Sequence, residues 1–180
     1  MLTRTADCAL PSFYEACHEE SYKPGTPGFG DWPRTKWPWF GELAERGYLV
    51  LAVHRGKNVI VSPAVAALLD PVCRAEIERM RDDDPDWRRL LDHLAAAGPS
   101  SLEDLRVELG FKAKELKLVR SPLERCGAIV ARSVVYEEPH RHTSLLARWD
   151  QVHPEPSSGA AEPKRALGQL VCAEIGRAHV

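Results

Sequence analysis

Lys114, Lys117, Ser121 and Arg125 follow one another at intervals of three and four residues. On a helix that spacing sets all four on one side, while Leu116, Val119, Leu123 and Cys126 fall on the other. The first side is then a stripe of long cations with one hydroxyl. Cations and hydroxyl donors hold phosphodiester oxygens, and the arginine fork matches the O6 and N7 acceptors of guanine. The chemistry on offer is recognition of a polyanion. The ordinary alternative is a surface helix kept soluble by its Lys and Arg. Glu115 and Glu124 lie away from the centre of the cationic side. Pro122 interrupts the pattern: proline inside a helix removes an N–H and crowds the preceding turn. A kink or break after Arg120 is expected, with Ser121 capping a final turn.

The elements around this stripe are those that would position it. Ser100 with Glu103 forms a capping box for a short helix that Gly110 stops. The basic helix, over 112–126, follows. Ala128 to Val135 is then β-rich, Tyr136 to Arg141 forms a tip, and His142 to Arg148 returns as a second strand. Capped helix, tight turn, basic helix and β-hairpin make the order of a winged helix-turn-helix, which usually holds nucleic acid. Upstream, Trp87, Leu90, Leu91 and Leu94 recur at helical spacing between Asp84-Pro85 and Gly98-Pro99. The acidic run Asp82 to Asp84 suits a solvated helix boundary. Ser62-Pro63 and Asp70-Pro71 have the same form as Asp84-Pro85, a capping residue before a proline, so each is expected to start a helix.

Nearer the N-terminus, Pro11 to about Glu20 reads as a short helix and residues 21–36 as a Gly/Pro-rich loop. Pro38 to Arg46 reads as a helix stopped by Gly47. Tyr48 to Val53 and Asn58 to Val61 read as a β-hairpin around Arg55, Gly56 and Lys57. From Ser157 the composition is that of a linker. The last seven residues, Glu174 to Val180, resemble a translated sequencing adapter, so a truncated native chain is expected there. The expected fold is α+β and mainly helical, a winged helix-turn-helix with an N-terminal helix and β-hairpin segment. Its divisions are 1–84, 85–150 and 151–180.

The chain has 180 residues, of which 44% are hydrophobic and 28% charged, with a net charge of −2, so it is no polycation. No run approaches the ~20 apolar residues of a membrane span, and the N-terminus lacks an apolar signal core. No membrane partner is expected, and a cytoplasmic location is. The five cysteines, at 8, 17, 73, 126 and 172, include no Cys-x-x-Cys pair, so neither a disulfide framework nor a zinc knuckle is expected.

Catalytic patterns are sparse. The chain carries no Gly-x-Gly-x-x-Gly, P-loop, His-Glu-x-x-His or Gly-x-Ser-x-Gly. Glu19-Glu20 and Glu137-Glu138 are adjacent pairs, whose side chains diverge, and Cys17 and His18 are neighbours that rarely meet as nucleophile and base. His140 and His142 could share one face of a strand, but no third ligand accompanies them. No metal and no cofactor are expected. Trp32, Trp37 and Trp39 could stack on an extruded base, although their ordinary use is to anchor a small core. Arg141 at the wing tip and Arg55 and Lys57 in the hairpin turn join Lys114, Lys117, Ser121 and Arg125 as candidate DNA contacts.

The order of elements over residues 9–152 resembles the winged-helix proteins related to the AlkZ-like crosslink-repair DNA glycosylases. The segments that carry the resemblance are Leu10 to Ala16 (Leu-Pro-Ser-Phe-Tyr-Glu-Ala), Trp37-Pro-Trp39, and Val50 to Ser62 with its Arg-Gly-Lys turn. Leu102 to Val130 and Arg148-Trp149 complete it. Those glycosylases often use two glutamines one residue apart. Here Gln151 and Gln169 stand alone, so the catalytic assignment does not carry over. The resemblance implies a related DNA-binding scaffold, with double-stranded DNA as partner and no catalysis. A divergent or truncated glycosylase is the alternative, and a winged helix used for protein contact the second.

Overall fold

The computed structural model describes residues 38–54, 57–136 and 141–156, together with Phe13, which is helical. The rest of the helix expected over Pro11 to Glu20, the loop at 21–36 and the linker from Ser157 lie outside the described residues. The described chain is α+β and mostly helical, with two small antiparallel sheets.

Helix α1 (Pro38–Glu45) ends at Gly47, whose φ of 78° is left-handed. Strands β1 (Leu49–His54) and β2 (Lys57–Val61) form an antiparallel hairpin in which Leu49 faces Val61 and Leu51 faces Val59; the register shifts before His54 meets Lys57. Ser62 caps helix α2 (Pro63–Asp83), its hydroxyl accepting the Val65 N–H.

Asp70-Pro71 does not start a helix, contrary to the local pattern; α2 runs through it. Asp70 is 2% exposed and its carboxylate points into the core. There Oδ1 accepts the indole N–H of Trp149 at 2.7 Å and the Nε–H of Arg74 at 2.8 Å. A carboxylate spent on these donors is not turned back on its own backbone as a cap would be. The third cap-proline pair, Asp84-Pro85, behaves as expected. Asp84 Oδ1 accepts the N–H groups of Asp86 and Trp87 and opens α3 (Pro85–Ala97). Arg81 joins Asp92 at 2.7 Å, and Arg88 donates to the Arg81 carbonyl, so α2 and α3 are stapled side by side.

After Gly98 comes the short strand β3 (Ser100–Ser101) and then α4 (Leu102–Glu108). The cap of α4 is Ser101 with Asp104, one residue later than the expected Ser100 and Glu103: the Ser101 hydroxyl accepts the Asp104 N–H and donates to the Asp104 carboxylate. Ser100 is used otherwise, paired with Leu146 across the sheet and donating its hydroxyl proton to the Gly98 carbonyl. Helix α5 (Ala113–Cys126) follows the turn at Gly110. The Glu115 carboxylate accepts the Lys112 N–H at its start.

Strands β4 (Ile129–Tyr136) and β5 (Arg141–Arg148) pair along their whole length, from Ile129–Arg148 to Tyr136–Arg141; the sheet order is β3-β5-β4. A short helix α6 (Trp149–Val152) closes the described chain. No helix among the described residues is long and apolar enough to cross a membrane.

One cluster of buried side chains unites these elements. It takes Leu51 and Val61 from the hairpin, Cys73, Ile77 and Met80 from α2, Leu90, Leu91 and Leu94 from α3, and Leu116 and Leu123 from α5, together with Ile129, Leu146 and Trp149. Each fully buried side chain of this kind contributes roughly 1.5–3 kcal/mol. The tightest point is Gly127, at φ 81°, where a Cβ would stand 2.6 Å from the Cys73 sulfur. Burial pushes the Cys73 thiol up to about 12, with nearby Cys126 and Asp70 adding to it, so the group there is a neutral thiol.

Two outcomes are expected. Gly127→Ala should cost more than about 1 kcal/mol, from the left-handed backbone and the sulfur contact together. The loss should be smaller in a Cys73→Ala background, measured by urea unfolding in a double-mutant cycle; equal losses in both backgrounds would remove the sulfur contact as a cause. Asp70→Ala should destabilise by about 1–3 kcal/mol through the unpaired indole N–H. Asp70→Asn, which keeps an acceptor, should lose less; an asparagine variant as unstable as the alanine one would contradict the indole's dependence on that oxygen.

Candidate nucleic-acid interface

The core holds α5 by Leu116, Val119 and Leu123, all buried. Against the expectation from Pro122, the helix is neither divided nor capped internally; it continues to Cys126. Proline removes the N–H that would bond the Leu118 carbonyl, and Leu118 lies on the solvent side, where water can take that carbonyl. Leu123, with no exposure, anchors the turn after the proline.

The opposite face is open. Lys114, Lys117 and Arg125 are exposed, and among the described residues none has a carboxylate within ion-pair distance. Ser121 is half-buried, and its hydroxyl donates to the Lys117 carbonyl at 2.7 Å. Its single proton is committed to the helix backbone, a contact that also tends to bend a helix. Four of the expected contacts therefore share one face, three as free cations and one as an acceptor. Arg55 lies outside the described residues, as does the tip at 137–140. Lys57 and Arg141 are the first residues of β2 and β5.

Neighbouring charges frame the face. Arg120 turns away and pairs with Glu124 at 3.2 Å, both largely covered. Lys112 and Arg106 are exposed, as is Glu108. Glu108 approaches His93 Nε2 at 3.0 Å, within ion-pair distance, although that nitrogen makes no well-aligned hydrogen bond.

The sequence pattern left out one residue of this face. Leu118 is 66% exposed, four residues from Lys114 and seven from Arg125, which places it on the cationic stripe. The helical wheel contains that position; attention to polar residues passes over it. Val107 on α4 is likewise exposed, at 78%.

Other candidates fall elsewhere. Trp39 is partly exposed and meets Phe13 edge-on, with ring centroids 6.2 Å apart, whereas Trp32 and Trp37 lie outside the described residues. Gln151 is used at both ends, accepting the Arg148 N–H and donating to the Leu94 carbonyl. Among the described residues no group of three or more His, Cys, Asp or Glu is placed to hold a metal. A comparison of the chain with protein families, with curated proteins and with solved structures found no match.

The Arg120–Glu124 pair makes a pH prediction. Burial raises the Glu124 carboxyl above its ordinary value, and Arg120 opposes that rise. A carboxyl raised by folding favours the protonated native state. Its ionisation costs nothing below the unfolded value and costs increasingly as pH climbs towards the folded one. Arg120→Ala removes the opposing cation. Its stability deficit against the parent should therefore be larger at about pH 7 than at about pH 4 in urea titrations. An equal deficit at both would assign the loss to packing of the arginine stem.

Proposed function

We propose that this chain is a DNA-binding protein of winged helix-turn-helix architecture, without catalysis of its own, that lays the outer face of α5 on duplex DNA. The observation that carries the reading is that Lys114, Lys117 and Arg125 stand exposed and without carboxylate partners among the described residues, on the one side of α5 that the core does not use. The order of elements supports it: α3, β3, α4, α5, then the paired strands β4 and β5 in a β3-β5-β4 sheet. In such an arrangement the second helix of the helix-turn-helix enters the major groove and the hairpin lies beside it. The resemblance to the AlkZ-like glycosylases points the same way, and the lone glutamines make binding without base excision the favoured form.

A second reading has its own observation. Val107 and Leu118 are large apolar side chains left exposed on α4 and α5, which suits a protein partner docked on the same helices.

Salt separates the two. Each cation that neutralises a phosphate adds about 0.9 to the slope of log affinity against log salt. A Lys114→Ala, Lys117→Ala, Arg125→Ala triple variant should fold as the parent does, because exposed cations contribute little to stability. It should bind labelled duplex more weakly, with a slope shallower by roughly two to three units. A folded triple variant with unchanged affinity and slope would pass the assignment to the protein-contact reading.

A further inference from the structure

We infer that Leu118 is a specificity-determining residue that reads the 5-methyl group of thymine in the major groove, an inference that rests on the DNA-binding reading of α5. The ends of Lys114, Lys117 and Arg125 are carried on long flexible stems and reach outward to phosphates at the groove edges. Leu118 is short, and it shares the stripe with them at 66% exposure, so it faces whatever the helix surface itself lies on. Ser121, one turn further on, has given its proton to the Lys117 carbonyl and offers no donor to a base edge. The central part of the face therefore carries an apolar group and no free donor between its cations.

A leucine opposed to the donors and acceptors of a base edge strips them of water and replaces none of their hydrogen bonds, which is unfavourable. The major-groove edges hold one apolar group, the thymine methyl. Contact with it is the arrangement in which an exposed leucine on this stripe gains free energy. The charge of the flanking cations selects a polyanionic duplex over an apolar protein surface as the occupant. Burying one methyl corresponds to about a fourfold change in affinity.

The test starts from duplexes enriched by the full chain from a random-sequence library. Each is then prepared with thymine and with every thymine replaced by uracil, which removes only the methyl. The parent should bind the uracil form about fourfold more weakly. Leu118→Ala should bind both forms equally, and the salt slope should be the same for the two duplexes because the phosphates are unchanged. Leu118 is on the surface and alanine favours helix, so the variant should keep the parent's unfolding curve. A parent that binds both forms equally, with its salt slope intact, overturns the thymine contact and leaves DNA binding standing. So does a Leu118→Ala variant that still distinguishes them, which would place the methyl contact on another residue. Absence of any salt-dependent duplex affinity overturns the DNA reading and the thymine contact together.

Discussion

Asp70 brings a carboxylate into the core with 2% exposure, where the indole N–H of Trp149 and the guanidinium of Arg74 both donate to one of its oxygens. A buried carboxylate without donors would be costly, so its partners must be in place whenever the fold is. Trp149 follows directly on β5, and its backbone N–H donates to the Ala128 carbonyl at the root of β4. The second amino group of the Arg74 guanidinium reaches the carbonyls of His153 and Pro154, and the His153 ring stacks on Trp149. A residue in the middle of α2 thus pins the end of a hairpin almost eighty residues later. The sheet order β3-β5-β4 comes from β5 pairing with both neighbours, and the anchor holds the end of β5 against α2.

The placement of α5 is a consequence of the same packing. The helix lies against β1 on one side and β4 on another, with α3 and α2 beneath. Its C-terminus enters the sheet through Gly127, where only the absence of a Cβ lets the chain pass the Cys73 sulfur. Buried Leu116, Val119 and Leu123 fix the rotation of the helix about its own axis. With the rotation fixed, the outward face is fixed too. The cationic stripe is therefore the geometric complement of the core contacts, which is why the spacing of apolar residues located it.

Local chemistry was legible wherever the backbone's own needs decided the outcome. Ser62 and Asp84 cap as their prolines suggest, and Gly47, Gly98, Gly110 and Gly127 each take the positive φ that ends a helix or opens a turn. Asp70-Pro71 carries the same local pattern as Asp84-Pro85 and ends differently, because the first carboxylate has a tryptophan and an arginine to receive and the second faces solvent. Nothing within a few residues of Asp70 distinguishes the two; the difference comes from Trp149. Ser100 and Ser101 are chemically equal candidates for the α4 cap, and both pair with β5; the Ser100 hydroxyl is turned back to the Gly98 carbonyl, which leaves the Ser101 hydroxyl to take the Asp104 N–H. Pro122 reads as a breaker by propensity, yet three buried anchors on its helix outweigh the lost hydrogen bond. Leu118 was visible on the wheel, but its exposure could be judged only once the core had claimed the opposite side.

Among the described residues, the cations of α5's outer face differ from most arginines of α2 and α3 in their charge partners, although Arg46, Arg89, Arg106, Lys112 and Arg132 are likewise exposed without an ion pair. Arg74, Arg79, Arg81, Arg88, Arg120 and Arg148 each have a carboxylate within 4 Å. Such pairs contribute little to stability at an exposed surface, but they cancel the local field. On α2 and α3 acids and arginines interleave, seven against five. On the outer side of α5 the carboxylate nearest in sequence, Glu115, is drawn back to the Lys112 N–H at the helix start, and Glu124 is turned inward to Arg120. The two acids that could have neutralised the stripe are both engaged elsewhere. A chain of net charge −2 thereby carries, among its described residues, a stripe of three cations on α5 without carboxylate partners. Attraction of a polyanion depends on this local field at distances within a Debye length, about 8–10 Å at ordinary ionic strength, and not on the overall charge.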